Sequence, residues 1–272
     1  MEASRYFVHS LAKGLEALRC FGPDSPSLSL KELAERLGWN KATAFRFVYT
    51  LQQLGYLDQD PRTRRYRLGV RVLDLGFSCL NSLGLSERAQ PYLEELFHQT
   101  GQPIQMTILD GADIVYLARV ADRRLTVINL YVGCRLPAYC TSTGKVLLAH
   151  RPWEEVRRLL AGVALQAHTP YTITDLEQLR LALEQVRRLG YAVGDQELEL
   201  GVRSLAVPVR DATGQVVAAI NISTRVARVD QPTLLGRYLP LVIQTAERIS
   251  AALGYKPNAT SHPRREAIHA IP

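Results

Sequence analysis

The sequence predicts an α+β protein whose N-terminal part is a winged helix-turn-helix domain, and three observations carry the prediction. Residues 29–54, SLKELAERLGWNKATAFRFVYTLQQL, read as two short amphipathic helices broken at Gly38. An arginine-rich hairpin, QDPRTRRYR at 59–67, follows at once. In the second half, strand-like runs and helical runs are mixed around turn pairs such as Asp110-Gly111, and no GxGxxG is present. That mixture argues for an antiparallel or mixed sheet with helices rather than a dinucleotide-binding sheet.

Each element has a local reason. Residues 7–21 put Leu11, Leu15 and Leu18 on one helical stripe, ended by the Gly and Pro of GPDSPS. Ser29 and Glu32 form a capping box, and Leu30, Leu33, Ala34 and Leu37 follow at helical spacing. Asn40 caps the next helix, which buries Ala44, Phe47, Val48 and Leu51 and shows Lys41, Thr43, Arg46, Thr50 and Gln53 on its other face. Phe45 and Tyr49, four apart, read as core or partner-packing residues rather than base stackers. GYLDQ and RYRLG are two strands around an Asp-Pro-Arg-Thr turn. A linking helix over 69–82 carries Val70, Leu73, Phe77 and Leu80 on one side, and Asn81-Ser82-Leu83-Gly84 breaks it.

The expected domains are thus 1–68 (winged helix-turn-helix), 69–84 (linking helix), 85–254 (sensory domain) and 255–272, a tail without apolar periodicity that is expected to be loose. In the sensory domain, SERAQPYLEELFHQT is helical, and IQMTILD, DIVYLARV and LTVINLYV are strands. TSTGKVLLA at 141–149 opens a helix. Thr174 and Glu177 make a second capping box before a helix with Leu176, Leu179, Leu183 and Val186 on its stripe. SLAVPVRD and QVVAAINIS form a hairpin, and a last helix runs from about Pro232 to Leu253.

Composition narrows the function. No run in these 272 residues approaches the roughly 18 apolar residues of a membrane helix, and the start has no signal-peptide core, so a cytoplasmic protein is expected. The four cysteines and six histidines show no CxxC or HExxH spacing, so no metal, cofactor or disulfide framework is expected. The net charge is +7, and Lys41, Arg46, Arg62, Arg64, Arg65, Arg67 and Arg71 face only Asp58 and Asp60 in one short segment. A polyanion, double-stranded DNA, is the simplest partner. The start of the second helix meets base edges in such a fold. Lys41, Ala42 and Thr43 form that start with Arg46 one turn on; Thr43 and Arg46 are the candidate base readers, Ala42 suits a thymine methyl, and Arg62, Arg64 and Arg65 of the wing fall on the backbone or in the minor groove.

Rival readings fail on the residues. TSTGK is no phosphate loop, because Tyr139 stands at the first glycine position and Val146 follows Lys145. Asp195, Glu197 and Glu199 read as a solvated acidic strand rather than a metal site, having no neighbouring histidine. No GxSxG elbow marks an enzyme. A DNA-binding protein whose second domain only oligomerises stays open.

The chain resembles the IclR family of bacterial transcriptional regulators over about residues 7–254. The likeness lies in HSLAKGLEAL, in SLKELAERLGWNKATAFRFVYTLQQLGYL and RYRLG, and in DIVYLARV, RLPAYCTSTGKVLLA and GYAVGDQELELGVRSLAVPVRD. The wording of DLGFSCLNSLGLSERAQPYLEEL and QELELGVRSLAVPVRD is closer to the PcaR, PcaU and PobR branch, which controls the β-ketoadipate pathway and related aromatic-acid catabolism. The resemblance implies a GAF-like effector-binding domain, a homodimer or dimer of dimers, and a small organic acid such as protocatechuate, 4-hydroxybenzoate or β-ketoadipate. Other members of the family answer to other carbon sources. It also implies a pocket lined by Leu125, Ile128, Ser142, Asp195 or Gly194, Ser204, Asn221 and Ser223. Many relatives carry glycine where Ser142 stands and an acid where Gly194 stands. Chemically, the start of the TSTGK helix suits a carboxylate, Thr141 and its neighbours add hydroxyls, and Tyr139 would flank a ring. Taken singly, each of these residues reads more readily as an ordinary cap or strand-packing group, and it is the resemblance that joins them into one site.

Overall fold

A computed structural model describes residues 6–122 and 130–256, the side chains of 77 and 79–83 excepted. The chain divides into two compact units, 1–82 and 83–272. In the first unit, α1 (His9–Arg19), α2 (Leu30–Leu37) and α3 (Lys41–Gln53) precede β1 (Leu57–Gln59), β2 (Tyr66–Leu68) and α4 (Arg71–Leu83). The capping box at Ser29 and Glu32 forms, and Gly38 closes α2 in the left-handed region at φ 66°. Asn40 caps α3 by accepting from the Thr43 amide at 2.8 Å. Ala17, Phe21, Leu28, Leu33, Val48 and Leu51 close with the hairpin's Leu57 and Tyr66 into one small core.

The hairpin is fixed at both ends. At its tip, the Asp60 carboxylate accepts from the amides of Arg62 and Thr63 at 2.8 and 2.9 Å. Those bonds hold its pKa below the usual carboxylate range. At its base, Leu28 and Tyr66 exchange two backbone bonds of 2.9 and 2.7 Å. Arg65, expected on DNA, instead donates to Ser27 Oγ (3.1 Å) and Ser27 O (2.9 Å) and pairs with Glu32 at 2.9 Å. The reason is position: Arg65 sits one residue before the strand and reaches back to the start of α2. The apolar stripe of α1 is also unlike the expectation, since Leu11 and Leu15 are exposed and Ala17 is the buried residue. Phe45 and Tyr49 touch each other (6.0 Å between centroids) and are about half exposed, so neither belongs to this chain's own core.

In the second unit, α5 (Leu85–Thr100) leads to β3 (Ile104–Asp110), β4 (Asp113–Val120) and β5 (Arg135–Pro137). A 3-10 turn (Ala138–Cys140) then runs into α6 (Ser142–Ala149), α7 (Trp153–Leu159) and α8 (Leu176–Leu189). β6 (Ala192–Asp195), β7 (Val202–Arg210) and β8 (Val216–Arg225) complete an antiparallel sheet ordered β5-β4-β3-β8-β7-β6. The final helix is not uniform. A turn, α9 (Gln231–Thr233), passes through a π-helical stretch (Leu234–Tyr238) into α10 (Leu239–Ala252). Pro240 has no N–H for the carbonyl of Gly236, which accounts for the slipped ladder. The expected strand LTVINLYV falls mostly on 123–129, outside the described residues, as does the tail beyond 256. The expected cap at Thr174 is replaced by Asp175, whose carboxylate accepts from the Gln178 amide at 2.8 Å. The 195–199 run is no solvated strand either: β6 ends at Asp195 and Glu197 is buried.

Alternation sorts the sheet. Ile104, Met106, Ile220 and Ile222 are fully buried on the face that carries α5 and α10. The opposite face carries α6 and α8 over Ala206 and Ala219. All eight residues of α6 are buried. A Cβ on Gly144 would fall inside the van der Waals envelope of Ala138 O and Cα, so glycine alone lets α6 dock this closely.

Gly144→Ala is therefore expected to cost about 3 kcal/mol, the upper end for overpacking, read from urea unfolding. Arg65→Ala is expected to lower stability by about 1 kcal/mol through the lost clasp, whereas Arg64→Ala should stay within about 0.5 kcal/mol of the parent in the same assay.

Candidate functional site

Two surfaces collect the residues singled out in the sequence, one in each unit. The first is the outer face of α3 with the wing. Lys41, Ala42 and Arg46 are exposed and Thr43 is half-buried, and all four lie on the first two turns of α3. The Thr50 hydroxyl donates to the Arg46 carbonyl at 2.8 Å one turn on. At the wing tip Arg62 and Arg64 are exposed, and Arg64 is held at φ 55° where the turn reverses. Arg65 lies below them in its structural clasp. Cationic groups on a helix face and a hairpin tip suit the groove and backbone of a duplex.

The second surface is a cleft over the sheet at the start of α6. β6, β7 and β8 bring Gly194, Ser204 and Ser223 side by side, and Ala206, Asn221 and Gln105 form the next rung. Residues opposite one another in a ladder share a face, so this polar strip lies directly under the α6 start. Thr141 caps the helix, its hydroxyl accepting from the Gly144 amide at 3.2 Å. Ser204 Oγ donates to Ser142 Oγ at 2.8 Å. Ser142 and Thr143 supply the first helical N–H groups, which have no carbonyl partner within the helix. Around this start a cleft of about 490 Å³, counting its open mouth, is walled by Tyr116, Leu130, Leu136, Cys140 and Leu198. A Cβ on Gly194 would reach to 2.9 Å from Ser204 Oγ and 3.3 Å from the Ser142 nitrogen, so the missing side chain leaves room beside that amide.

Of the expected pocket residues, Thr141, Ser142, Ser204, Asn221 and Ser223 line the cleft. Asp195 does not. One residue along the strand from Gly194, its side chain points to the other face and pairs with Arg203 at 2.8 Å. Tyr139 is buried beneath, its hydroxyl donating to the Gln166 carbonyl at 2.7 Å. Leu125 and Ile128 lie outside the described residues.

Sequence reasoning passed over a buried ion pair. Lys145 and Glu197, 5% and 7% exposed, bind each other, and Lys145 Nζ also donates to the Val193 carbonyl at 3.2 Å. Fifty-two positions apart, neither announces the other. Gln105, polar between Ile104 and Met106, was a readable signal of a strand face that is not simply core. The Cys140 thiol in the wall is pushed up to about 12 by burial and by the nearby Glu197 charge.

With this geometry in place, likeness to known proteins can be stated. The IclR helix-turn-helix domain matches residues 10–61, and the bacterial transcriptional regulator IclR C-terminal domain matches 77–251. The Pca regulon regulatory protein of Pseudomonas putida is 43% identical over 87% of this chain and 81% of its own length. The p-hydroxybenzoate hydroxylase transcriptional activator of Acinetobacter baylyi is 37% identical over 89% of this chain and 91% of its own. A crystal structure of an IclR homologue from Microbacterium hydrocarbonoxydans, complexed with 4-hydroxybenzoate, superposes with TM-score 0.79 at 26% identity, covering 90% of this chain and 98% of that one. These relatives are regulators rather than enzymes, and the chain belongs to the IclR family of bacterial transcriptional regulators.

Proposed function

We propose that this regulator binds an operator through α3 and the wing, and that a small aromatic acid seated in the cleft controls it. Genes of aromatic-compound catabolism are then its natural targets. The observation that carries the reading is the buried start of α6 facing a cleft between polar sheet residues and an apolar wall. Free N–H groups and the positive end of a helix favour a carboxylate there. Tyr116, Leu136 and Leu198 supply the apolar contact that a ring needs, beside the few polar groups that would orient it. The names of the relatives agree: one governs a Pca regulon, another activates p-hydroxybenzoate hydroxylase, and a third is complexed with 4-hydroxybenzoate. Protocatechuate, 4-hydroxybenzoate and β-ketoadipate are accordingly the acids to try first.

On the DNA side, Thr43 and Arg46 read bases, Ala42 approaches a thymine methyl, and Lys41, Arg62 and Arg64 hold the phosphates. A homo-oligomer, a dimer or a pair of dimers, accounts for the exposed apolar residues Leu11 and Leu15 of α1, Val70 before α4 and Leu73 within it, which a lone chain leaves in water.

Arg46→Ala should weaken operator binding far more than binding to random duplex. Arg64→Ala should weaken both and lower the salt slope by about one, measured by fluorescence anisotropy over a salt series. Equal losses for Arg46→Ala on both duplexes would remove it from base reading. An aromatic acid at about 100 times its Kd should stabilise the effector unit by about 2.7 kcal/mol, and Gly194→Val, filling the space beside the Ser142 amide, should abolish that shift in a thermal melt. Tight operator binding with no shift from any small acid would favour a second unit that only oligomerises.

A further inference from the structure

The cleft holds two acceptors to which no described residue donates. Glu197 is 7% exposed and lines the cleft. One of its carboxylate oxygens takes the Lys145 ammonium, while Oε2 is buried with no hydrogen-bond partner among the described residues. Asn221, 6% exposed and also lining the cleft, donates its amide hydrogen to Ser223 Oγ at 3.2 Å, and its Oδ1 is likewise unpartnered. Ser223 in turn gives its hydrogen to Gln105 Oε1 at 3.3 Å. Buried polar atoms in folded proteins are almost always satisfied, and a sealed charged oxygen is the costliest exception.

Glu197 is also held still. The residue before it, Gln196, takes the left-handed φ of 60°, a rare conformation for a side chain other than glycine. Its amide donates to the Val202 carbonyl at 2.9 Å, and Gly201 N donates to its side-chain Oε1 at 3.1 Å. The Thr172 hydroxyl donates to the Glu197 carbonyl at 2.6 Å, and Thr169 Oγ1 donates to the Gln196 carbonyl at 2.7 Å. These bonds hold the backbone at 196–197, and the Lys145 ammonium holds one oxygen of the carboxylate it carries.

We propose that Glu197 Oε2, assisted by Asn221 Oδ1, is the specificity determinant of the cleft: it requires an effector that brings its own hydrogen-bond donor, a hydroxyl- or amino-substituted aromatic acid. The inference rests on the reading that an aromatic acid fills the cleft, and it adds which acid is accepted. The ligand's carboxylate goes to the start of α6, and its O–H or N–H donates to the Glu197 oxygen with the proton staying on the ligand. Lys145 neutralises the carboxylate, so Glu197 does not repel the ligand's own negative end. An acid of the same shape without the donor sets carbon or fluorine against Oε2, and the site forgoes the charge-assisted bond.

The test is calorimetric titration of the full-length protein with matched acids: 3- and 4-hydroxybenzoate, 4-aminobenzoate, 3- and 4-fluorobenzoate, and benzoate. Hydroxy and amino acids are expected to bind about 10- to 100-fold tighter than their fluoro counterparts. Fluorobenzoates binding as tightly as hydroxybenzoates would overturn the inference and leave the aromatic-acid reading standing, whereas no binding by any of them would overturn both. In Glu197→Gln, Lys145 keeps the oxygen and the amide nitrogen takes the place of Oε2, turning acceptor into donor. The hydroxy-to-fluoro ratio should then fall to near one while fluorobenzoate affinity changes little. A purely structural role would weaken both acids alike and keep the ratio, which would also overturn the inference. Should that variant fail to fold, Lys145→Met with Glu197→Leu replaces the buried pair by apolar groups of similar size, an exchange that buried pairs often tolerate. The same collapse of the ratio is expected there.

Discussion

The second unit is organised by one constraint: an eight-residue helix, α6, is buried along its whole length, and its N-terminal end faces the cleft rather than the outer surface. Its amides must find partners in the protein or in something bound to it. Thr141 satisfies the Gly144 amide, and from the sheet Ser204 on β7 donates to the Ser142 hydroxyl. The helix reaches that depth because position 144 has no side chain to strike Ala138. Glycine at 144, hydroxyls at 142 and 204 and the missing side chain at 194 are parts of a single solution. The cleft is what the sheet and the helix start leave between them.

The DNA-reading unit is held differently. Its core is small, and the wing contributes only Leu57 and Tyr66 to it. The hairpin is kept in place by polar ties: the backbone pair between Leu28 and Tyr66, and the guanidinium of Arg65 bridging Ser27 and Glu32. Glu32 thereby serves twice, accepting from the Ser29 amide at 2.7 Å in the capping box and from Arg65. One exposed ion pair counts for little, but here it joins a helix start to a strand and sets where the tip arginines stand.

Local chemistry was legible in the sequence wherever it was complete within a few residues. The Ser29 and Glu32 box, the Asn40 cap, the Gly38 stop and the antiparallel pairs β3–β4 and β7–β8 can be read from spacing and turn residues alone. What spacing does not carry is which of several near neighbours wins. Asp175 displaced Thr174 as a cap because an ionised carboxylate at the next position is the better acceptor. Arg65 and Arg64 look alike on paper, and only the path of the hairpin commits the first to Ser27. In the second unit, the resemblance to relatives named Ser142, Ser204, Asn221 and Ser223, and these four line one cleft. Of its alternatives Asp195 and Gly194, strand alternation puts Gly194 on the cleft and turns Asp195 to Arg203, and the resemblance gave no sign of the Lys145–Glu197 contact across fifty-two positions.

Cys140 has a bearing on durability. Its sulfur stands in the cleft wall, donates weakly to the Pro137 carbonyl at 3.7 Å and is kept as S–H by burial and by the negative charge of Glu197. Thiolate, not thiol, attacks electrophiles and peroxides. The burial that keeps the sulfur protonated therefore also lowers its reactivity toward such reagents.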